Sequence, residues 1–442
     1  MSQPDDRNYM VREDDVIVDD VVLETTVGGK TSILGSVSSI GLFEDIFTPF
    51  MTGQLVLADG NNLTQKLPIN GREIITISYR TPLNGNRKIV RMRICGQLSR
   101  SKSTESRTDL LELRLISEMG YENNLIRFSK SFKGKYSDIV TQICRDTFSA
   151  NVQVEETNGN AVVVFPFMHP DQMISQMATD SISIFQDNKI QAAGYCFFET
   201  ATGLKFRSLH SLMKQSPDPR KYYINSEVQR KAEDSDNLEF STHIPRTVTV
   251  PRNFDRLSQI ENGGFSNVQH FYDITTKTWG ATKFTYSSDS DISLSDEEFI
   301  NPIISIKESE SFIPSRYTML ERTTQRHTDV PESDFRFGTS KFTRSNFTLY
   351  DDTQVKINVQ GDSDLEAGGT VNLFLTKNDV DPIVSQEETD SNLSGVFLIK
   401  GLQHRFIFPK DGSTTMKTSM NLVRNYKNTP IPTETTINDT AS

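Results

Sequence analysis

The chain has 442 residues, enough for two to four domains, and carries a formal net charge of −11 at pH 7. Hydrophobic residues make up 35% of it and aromatic residues 9%, which excludes a chain that is disordered throughout. Its 47 Lys and Arg are outnumbered by 58 Asp and Glu, so the chain as a whole is a poor candidate for binding nucleic acid through its phosphates.

Residues 1–14 are charged and poor in apolar groups, which predicts an N-terminal arm. From Val16 onward, short segments of β-type residues alternate with turn signals such as Asn70-Gly71 and Asn84-Gly85. This spacing is typical of an antiparallel sandwich or barrel. We therefore predict a first β domain over residues 15–120.

The pattern changes after residue 120. Ser137 is a candidate N-cap for one helix, and Pro170 precedes a second. The apolar positions of the two helices are Ile139, Val140, Ile143 and Phe148, then Ile174, Met177, Ala178, Ile182 and Phe185. Strand-like segments follow over 193–198 and 203–206, which predicts an α+β region over roughly 121–252.

Residues 286–300 are rich in Ser and Asp and predict a solvated loop, whereas residues 308–345 are polar with many Arg. A β pattern returns over 346–425, with a long acidic segment at Lys377–Leu393. The tail from Asn428 is rich in Thr, Pro and Asn, which predicts loose order.

The two β regions share an order of landmarks. Gly53–Leu63, Gly71–Ile77, Arg93–Arg100 and Thr108–Ile116 correspond to Val355–Leu365, Gly369–Leu375, Leu398–Arg405 and Thr415–Val423. Any two β domains share some rhythm of strands and turns, so the likeness also has an explanation without a repeat. If the repeat is real, three chains in a ring would present six similar modules. Such a ring could match a threefold object to a sixfold one.

The three cysteines, Cys95, Cys144 and Cys196, are odd in number and widely spaced. They argue against a disulfide framework or a zinc site and favour a reducing compartment. The polar, acidic N-terminus is unlike a secretory signal. The sequence contains no run of about 18 apolar residues, so it predicts no membrane span. We therefore expect synthesis in a cytoplasm and no membrane anchor.

A phosphate-binding loop is hinted at by Gly28-Gly29-Lys30-Thr31, but the full motif needs a glycine where Glu24 stands. The six histidines (169, 210, 243, 270, 327 and 404) are too far apart for a metal-ligand spacing. The adjacent acids Asp19-Asp20 and Glu297-Glu298 lie in acidic surroundings, where a solvated face is the default, and the cysteines occupy plausible core positions. We predict no catalytic, cofactor-binding or metal-binding residues, no cofactor and no enzymatic activity.

Several segments resemble the baseplate hub family of contractile-tailed phages, in particular its T-even-like branch, which is related to the hub part of type VI secretion spike proteins. These segments are Gly53–Ser78, Phe165-Pro166-Phe167 with the helix from Asp171, Gly194–Leu212, Gln259–Asp273, and Ser394–Ile399 with Gln403-His404-Arg405. The resemblance covers roughly residues 15–425. The segments 308–345 and 377–393 have no counterpart in it.

The resemblance implies a mainly β chain with two small β-barrel domains and an α+β insert, assembling as a homotrimeric ring with pseudo-sixfold symmetry. The implied domains are an arm (1–14), a first barrel (15–120), an insert (121–252 and 286–345), a second barrel (253–285 and 346–425) and a tail (426–442).

The resemblance also implies a function, namely an adaptor in the virion that joins the sixfold tail tube to the threefold central spike. The implied partners are further copies of the chain, the tube or tube-initiator protein, a spike that could carry a lysozyme, other baseplate proteins, and DNA only in passage. We expect part of the acidic charge to line the DNA channel, and the tail and the acidic segment to contact the spike. Two alternatives stay open: a tail-associated cell-wall hydrolase and the hub part of a type VI secretion spike.

Overall fold

The structure, a computed structural model, describes most of the chain. The described residues are 14–25, 29–60, 69–82, 86–102, 108–183, 193–224, 245–264, 266–273, 277–285, 317–322, 343–375, 393–409 and 413–425. The predicted arm before Asp14, the loop 286–300, nearly all of the acidic segment 377–393 and the tail from residue 426 lie outside them.

The fold is mainly β. Its strands are β1 Ile17–Glu24, β2 Lys30–Ser32, β3 Val37–Asp45, β4 Thr52–Asp59, β5 Ile74–Arg80, β6 Lys88–Lys102, β7 Asp109–Ser117, β8 Phe128–Gly134, β9 Val152–Val154, β10 Ala161–Met168, β11 Tyr195–Thr200, β12 Gly203–Ser208, β13 Lys221–Ile224, β14 Thr247–Arg252, β15 Ser266–Asp273, β16 Thr278–Thr285, β17 Tyr317–Arg322, β18 Thr353–Gln360, β19 Thr370–Leu375, β20 Gly395–Ile407 and β21 Thr415–Arg424. Its helices are α1 Glu118–Leu125, α2 Tyr136–Phe148, α3 Pro170–Asp180, α4 Leu209–Lys214, α5 Arg256–Glu261 and α6 over 343–349.

One 13-stranded sheet joins the two β regions of the chain. We call β1–β7 the first module, and β13, β14 and β18–β21 the second module. The strand order of the first module is β3-β4-β7-β6-β5-β1, with β2 at the end, and that of the second is β14-β18-β21-β20-β19-β13. The two modules therefore have the same strand order, as the sequence repeat predicts.

The repeat extends to the register of the strands. Gly53 lies opposite Leu115 in the first module, and its sequence counterpart Val355 lies opposite Leu422 in the second. The long strands β6 and β20 even bulge at corresponding places, just before Gly96 and just before Gly401. A bulge re-aims a strand, so both long strands change direction at the same point of the module.

Three details depart from the sequence alignment. Strand β6 has a second bulge, between Gln97 and Ser99, which β20 lacks, so from there on each β6 residue matches the β20 residue one place earlier than the alignment gives, and Ser99 corresponds to Gln403. Ile74 lies opposite Arg93, whereas the second-module residue opposite Leu398 is Thr370, so β19 is shifted by two residues from its aligned position. A shift of two keeps the same side chains on the core face. In addition, β1 runs antiparallel to β5, but β13 runs parallel to β19.

The prediction of two barrels and the predicted strand membership need correction. Among the described strands the large sheet is open, with β14 and β2 at its ends, so it contains no closed barrel. The predicted insert contains β13 and β14, yet both pair within the large sheet. Conversely, β15 and β16 were expected in the second barrel but form a separate small sheet with β17.

The region between the modules, which we call the insert, has a core of its own. Helices α2 and α3 pack with the two-stranded β8–β10 sheet and the β11-β12-β9 sheet around buried side chains such as Ile143, Met177 and Phe206. Helix α2 contains the four predicted apolar residues, all buried, but it begins before Ser137, and Lys135 is its N-cap. Helix α3 ends at Asp180, so Ile182 lies beyond it.

Candidate assembly surface

A seam of paired strands joins the two modules. Strand β20 of the second module pairs with β3 of the first in antiparallel register, from Gly401 opposite Asp45 to Ile407 opposite Ser39. At the bulge before Gly401, β20 changes its neighbour on one side from β19 to β3, while it stays paired with β21 on the other side. A Cβ atom at Gly401 would lie 2.8 Å from the Asp45 carboxylate, so glycine allows this close approach.

The seam also shares core residues between the modules. Phe406 and Met416 belong to second-module strands, yet both are buried in the core of the first module. The ring of Phe406 packs edge-on against that of Tyr79, with 4.8 Å between the centroids. The first module therefore buries part of its core against side chains supplied by the second.

The β3–β4 turn connects both modules to the insert. Ile46 is buried in a cluster with Phe198 of the insert and Leu398 of the second module. Four residues later, Phe50 is buried in the insert core, edge-on to Phe148. One short turn thus contributes apolar side chains to two different cores.

A buried carboxylate lies where the three parts meet. Glu44 of β3 accepts hydrogen bonds from the backbone N–H groups of Ala201 in the insert (2.8 Å) and Ala367 in the second module (2.9 Å). Burial raises the pKa of Glu44 to about 7, although these two hydrogen bonds partly offset the effect. Nearby, Lys205 pairs with Glu366 at 2.6 Å, and the pKa of Glu366 is lowered despite its burial, because Lys205 favours the charged form.

The junction should loosen as the pH rises. The folded-state pKa of Glu44 lies above its unfolded value of 4.5, so the folded chain binds more protons between these values. Its contribution to stability is therefore fully present below about pH 4.5 and is lost as the pH rises through 7. In Glu44→Gln this loss should disappear. We expect the unfolding free energy of the variant relative to wild type to rise by about 3 kcal/mol between pH 5 and pH 8, measured by denaturant unfolding.

Glu366→Gln provides a control with the opposite sign. Its folded pKa is lowered, so its stabilisation is present above the unfolded pKa and is lost only as the pH falls. If the unfolding free energies of wild type and Glu44→Gln change with pH in parallel, ionisation of Glu44 does not destabilise the folded chain.

Two other edges of the sheet match the seam but have no partner strand among the described residues. In the second module, β20 pairs with β3 from Gly401 onward; in the first module, β5 covers β6 only between Lys88 and Arg93. Beyond Ile94, whose N–H donates to the Glu73 carbonyl, β6 pairs with β7 alone among the described strands. Likewise β14, the counterpart of β3, bonds with β18 alone among the described strands.

Exposed apolar side chains accompany both edges. Leu98 on β6 is 53% exposed and Leu110 on the adjacent β7 is 47% exposed. Just after β14, Phe254 and Leu257 are 66% and 68% exposed. Clustered exposed apolar groups of this kind mark interaction surfaces, and open strand edges are templates for pairing with another chain.

The histidines that the structure describes have structural roles. His404 is buried between Thr418 and the Leu365 carbonyl, and burial lowers its pKa to about 4. His169 caps α3, His210 is buried, and His270 stacks near Trp279. His243 and His327 lie outside the described residues. In the described part of the chain, no three His, Cys, Asp or Glu side chains group in a way that could hold a metal ion.

The other candidate groups are also engaged in the fold. Cys144 and Cys196 are buried, and burial raises both thiol pKa values, that of Cys144 to about 12. Asp20 accepts a hydrogen bond from Ser32, and Asp19 pairs with Arg87. Glu297 and Glu298 lie outside the described residues.

Of the segment that suggested a phosphate loop, Gly28 lies outside the described residues, and Lys30 on β2 pairs with Glu24 on β1 at 3.2 Å. None of the helices within the described ranges is long and apolar enough to cross a membrane.

Comparisons with known proteins agree with the tail-hub resemblance at the level of fold. Similar solved structures include the tail protein from Neisseria meningitidis MC58, with a TM-score of 0.51 and 12% identity, covering 92% of this chain and 96% of that one. They also include the 43 kDa tail protein of prophage MuSo2 from Shewanella oneidensis (TM-score 0.48, 11% identity, 92% and 98% covered) and a Francisella PdpA–VgrG complex (0.44, 9%, 95% and 60%). No protein-family model and no curated protein matches the sequence.

The similar structures thus include phage tail proteins and proteins related to type VI secretion spikes. The likeness to the Neisseria tail protein extends over nearly the whole of both chains, so the two share their fold. The resemblance that the sequence motifs indicated is confirmed to this extent.

Proposed function

We propose that the chain is the structural hub of a phage tail baseplate, made in the host bacterial cytoplasm and assembled into the virion as a homotrimeric ring. The ring would join the sixfold tail tube to the threefold central spike and form part of the DNA ejection channel. The observation that carries the proposal is the seam together with the matching edges of β6 and β14, which have no partner strand among the described residues.

The seam supplies the geometry of the contact between copies. In the seam, the exposed end of a β6-type strand pairs with a β3-type strand. Each chain has one further strand of each type at its open edges. Joining β6 of one copy to β14 of the next repeats the seam as a head-to-tail contact, and head-to-tail contacts form rings when the rotation closes. With two modules per chain, a sixfold arrangement of modules closes after three copies.

The register of this contact follows from the repeat. Ser101 lies opposite Leu110 as Arg405 lies opposite Lys417, so Ser101 and Arg405 correspond. On the partner side, Gly41 lies opposite Gln54 as Thr249 lies opposite Lys356.

Since Arg405 faces Gly41 in the seam, Ser101 should face Thr249 of the next copy.

The ring has two rims, which would contact different partners. Tube or tube-initiator protein would meet one rim, and the spike, with other baseplate proteins around it, would meet the other. Joining two partners in this way is a structural role rather than a catalytic one. A cell-wall hydrolase assay of the purified chain tests that point directly.

The native mass of the purified chain tests the ring. We expect three copies of the chain, each of 50.0 kDa, in the purified protein or in its complex with tail-tube or spike protein. Phe254→Asp/Leu257→Asp places two charges on the segment just after β14, beside the proposed contact, and should yield monomers, because burying unpaired charge is costly. Val164→Asp/Phe167→Asp is a matched control in the insert, with both positions 65% exposed, and should stay trimeric. A stable monomer that binds neither tube nor spike protein would contradict the proposal.

A further inference from the structure

The outer face of the seam is a shallow polar groove. A cavity of about 360 Å³ crosses β20, β3, β4, β7 and β6, on the side of the sheet opposite the core. Half of its lining residues carry hydroxyl or amide side chains, namely Ser39, Gln54, Ser99, Ser101 and Gln403. The described carboxylate in this lining is Glu112, which accepts hydrogen bonds from Gln54 and Ser99.

Cations are concentrated on the second-module side of this face. Arg405 lies directly opposite Lys417 on β21, and both side chains are exposed. Lys356 on β18, the next strand, is exposed as well. The described residues place no carboxylate in ion-pair contact with any of the three. Like charges directly opposite each other destabilise a sheet, so this pair is a cost to the isolated chain.

The first module lacks these charges at matching positions. The counterparts of Arg405, Lys417 and Lys356 are Ser101, Leu110 and Gln54. The two modules therefore share their backbone but differ in the charge of this face. The cations are not demanded by the fold, because the same strand arrangement forms without them.

We propose that this basic face of the second module contacts the phosphate backbone of DNA. The inference rests on the proposed channel, which would bring DNA past the face. An exposed pair of like charges that the fold does not need is accounted for by an anionic ligand, and an extended polyanion can meet cations spread over three strands. In a ring of three chains, the three basic faces of the second modules would alternate with the three faces of the first modules, which lack these cations.

The chemistry of the face favours DNA over an acidic peptide segment. The three cations are exposed, and the groove between them and the first module has hydroxyl and amide walls rather than deep apolar pockets for side chains. Such a surface can contact DNA phosphates without reading the base sequence. The wall of a channel must also bind DNA weakly enough to let it move on. We expected an acidic channel wall, but this face is basic although the chain as a whole carries a net negative charge.

Binding of a fluorescent 30-base-pair duplex, followed by anisotropy at rising salt, tests the inference. We expect weak, sequence-independent binding that falls steeply with salt. Lys356→Gln/Arg405→Gln/Lys417→Gln should weaken it and should lower the slope of log affinity against log salt by about one for each cation that contacts a phosphate. Lys30→Gln/Lys133→Gln/Arg145→Gln removes equal charge elsewhere and should bind like wild type.

Three results would overturn the inference: no duplex binding by the wild type at low salt, equal loss in both triple variants, or binding of polyglutamate with no binding of duplex. The last would assign the face to an acidic peptide. Native mass is measured on the same samples. A trimer that fails to bind DNA overturns this inference alone, whereas a monomer that binds DNA overturns the proposed ring and leaves the face intact.

Discussion

Replacing Phe406 by alanine is expected to lower the free energy of unfolding by about 3–5 kcal/mol, the largest stability effect that we predict for this chain. Phe406 is fully buried, and its ring packs against Tyr79 in the core of the first module although it belongs to a strand of the second. Removing the ring leaves a cavity at the place where the two modules share a core.

The same substitution should also weaken the coupling between the modules. Wild-type unfolding of the two modules should coincide, because they share both a core and a strand ladder. In Phe406→Ala the first module should melt earlier, which differential scanning calorimetry would record as a broadened or split transition. Phe167→Ala, at an aromatic residue that is 65% exposed, should change the unfolding free energy by less than about 0.5 kcal/mol. A loss as small as this in Phe406→Ala would show that the shared core contributes little.

Cysteines at Ser101 and Thr249 should lock the ring covalently. In the proposed register these residues face each other between copies, at the Cα separation that a disulfide requires. In a Cys95→Ser background, mild oxidation of Ser101→Cys/Thr249→Cys should convert most of the protein to a species of three times the chain mass on a non-reducing gel.

The controls separate geometry from chance collision. Either single variant should remain at the monomer mass. Gly41→Cys/Arg405→Cys, placed across the seam, should oxidise within one chain and also stay at the monomer mass. A ladder beyond three copies would indicate an open filament, and a product that stops at two would indicate a twofold contact. Neither outcome is compatible with the ring.

Local patterns predicted much of each module. The alignment of Gly53 with Val355 and of Gly96 with Gly401 placed β18, β21 and the part of β20 around Gly401 in their observed register, because alternation and turns are local properties. It did not predict the second bulge of β6, after which the alignment is off by one residue. The apolar face of α2 was predicted for the same reason. The start of that helix was not, since Lys135 caps it without a side-chain hydrogen bond and so leaves no capping signal.

The contacts between modules could not be predicted in this way. The pairing of β20 with β3 joins residues more than 350 positions apart, and nothing in either strand marks the other as its partner. For the same reason, Phe406 could be assigned to a core but not to the core of the other module. The parallel pairing of β13 depends on a long connection rather than on the composition of the strand.

Charge shows a similar limit of sequence reasoning. The net charge of −11 suggested repulsion of DNA, yet net charge says nothing about where charges lie. Arg405 and Lys417 are 12 residues apart in the chain but directly opposite in the sheet. Only the register of the strands brings them together.

The seam has a mechanical consequence. Seven residue pairs join β20 to β3, and their hydrogen bonds run perpendicular to the strands. A force along the strands therefore loads these bonds together in shear, so they must fail together rather than one after another. Two domains on a flexible linker would swing under such a load. These two modules should move as one stiff plate, which suits the structural role proposed for the chain.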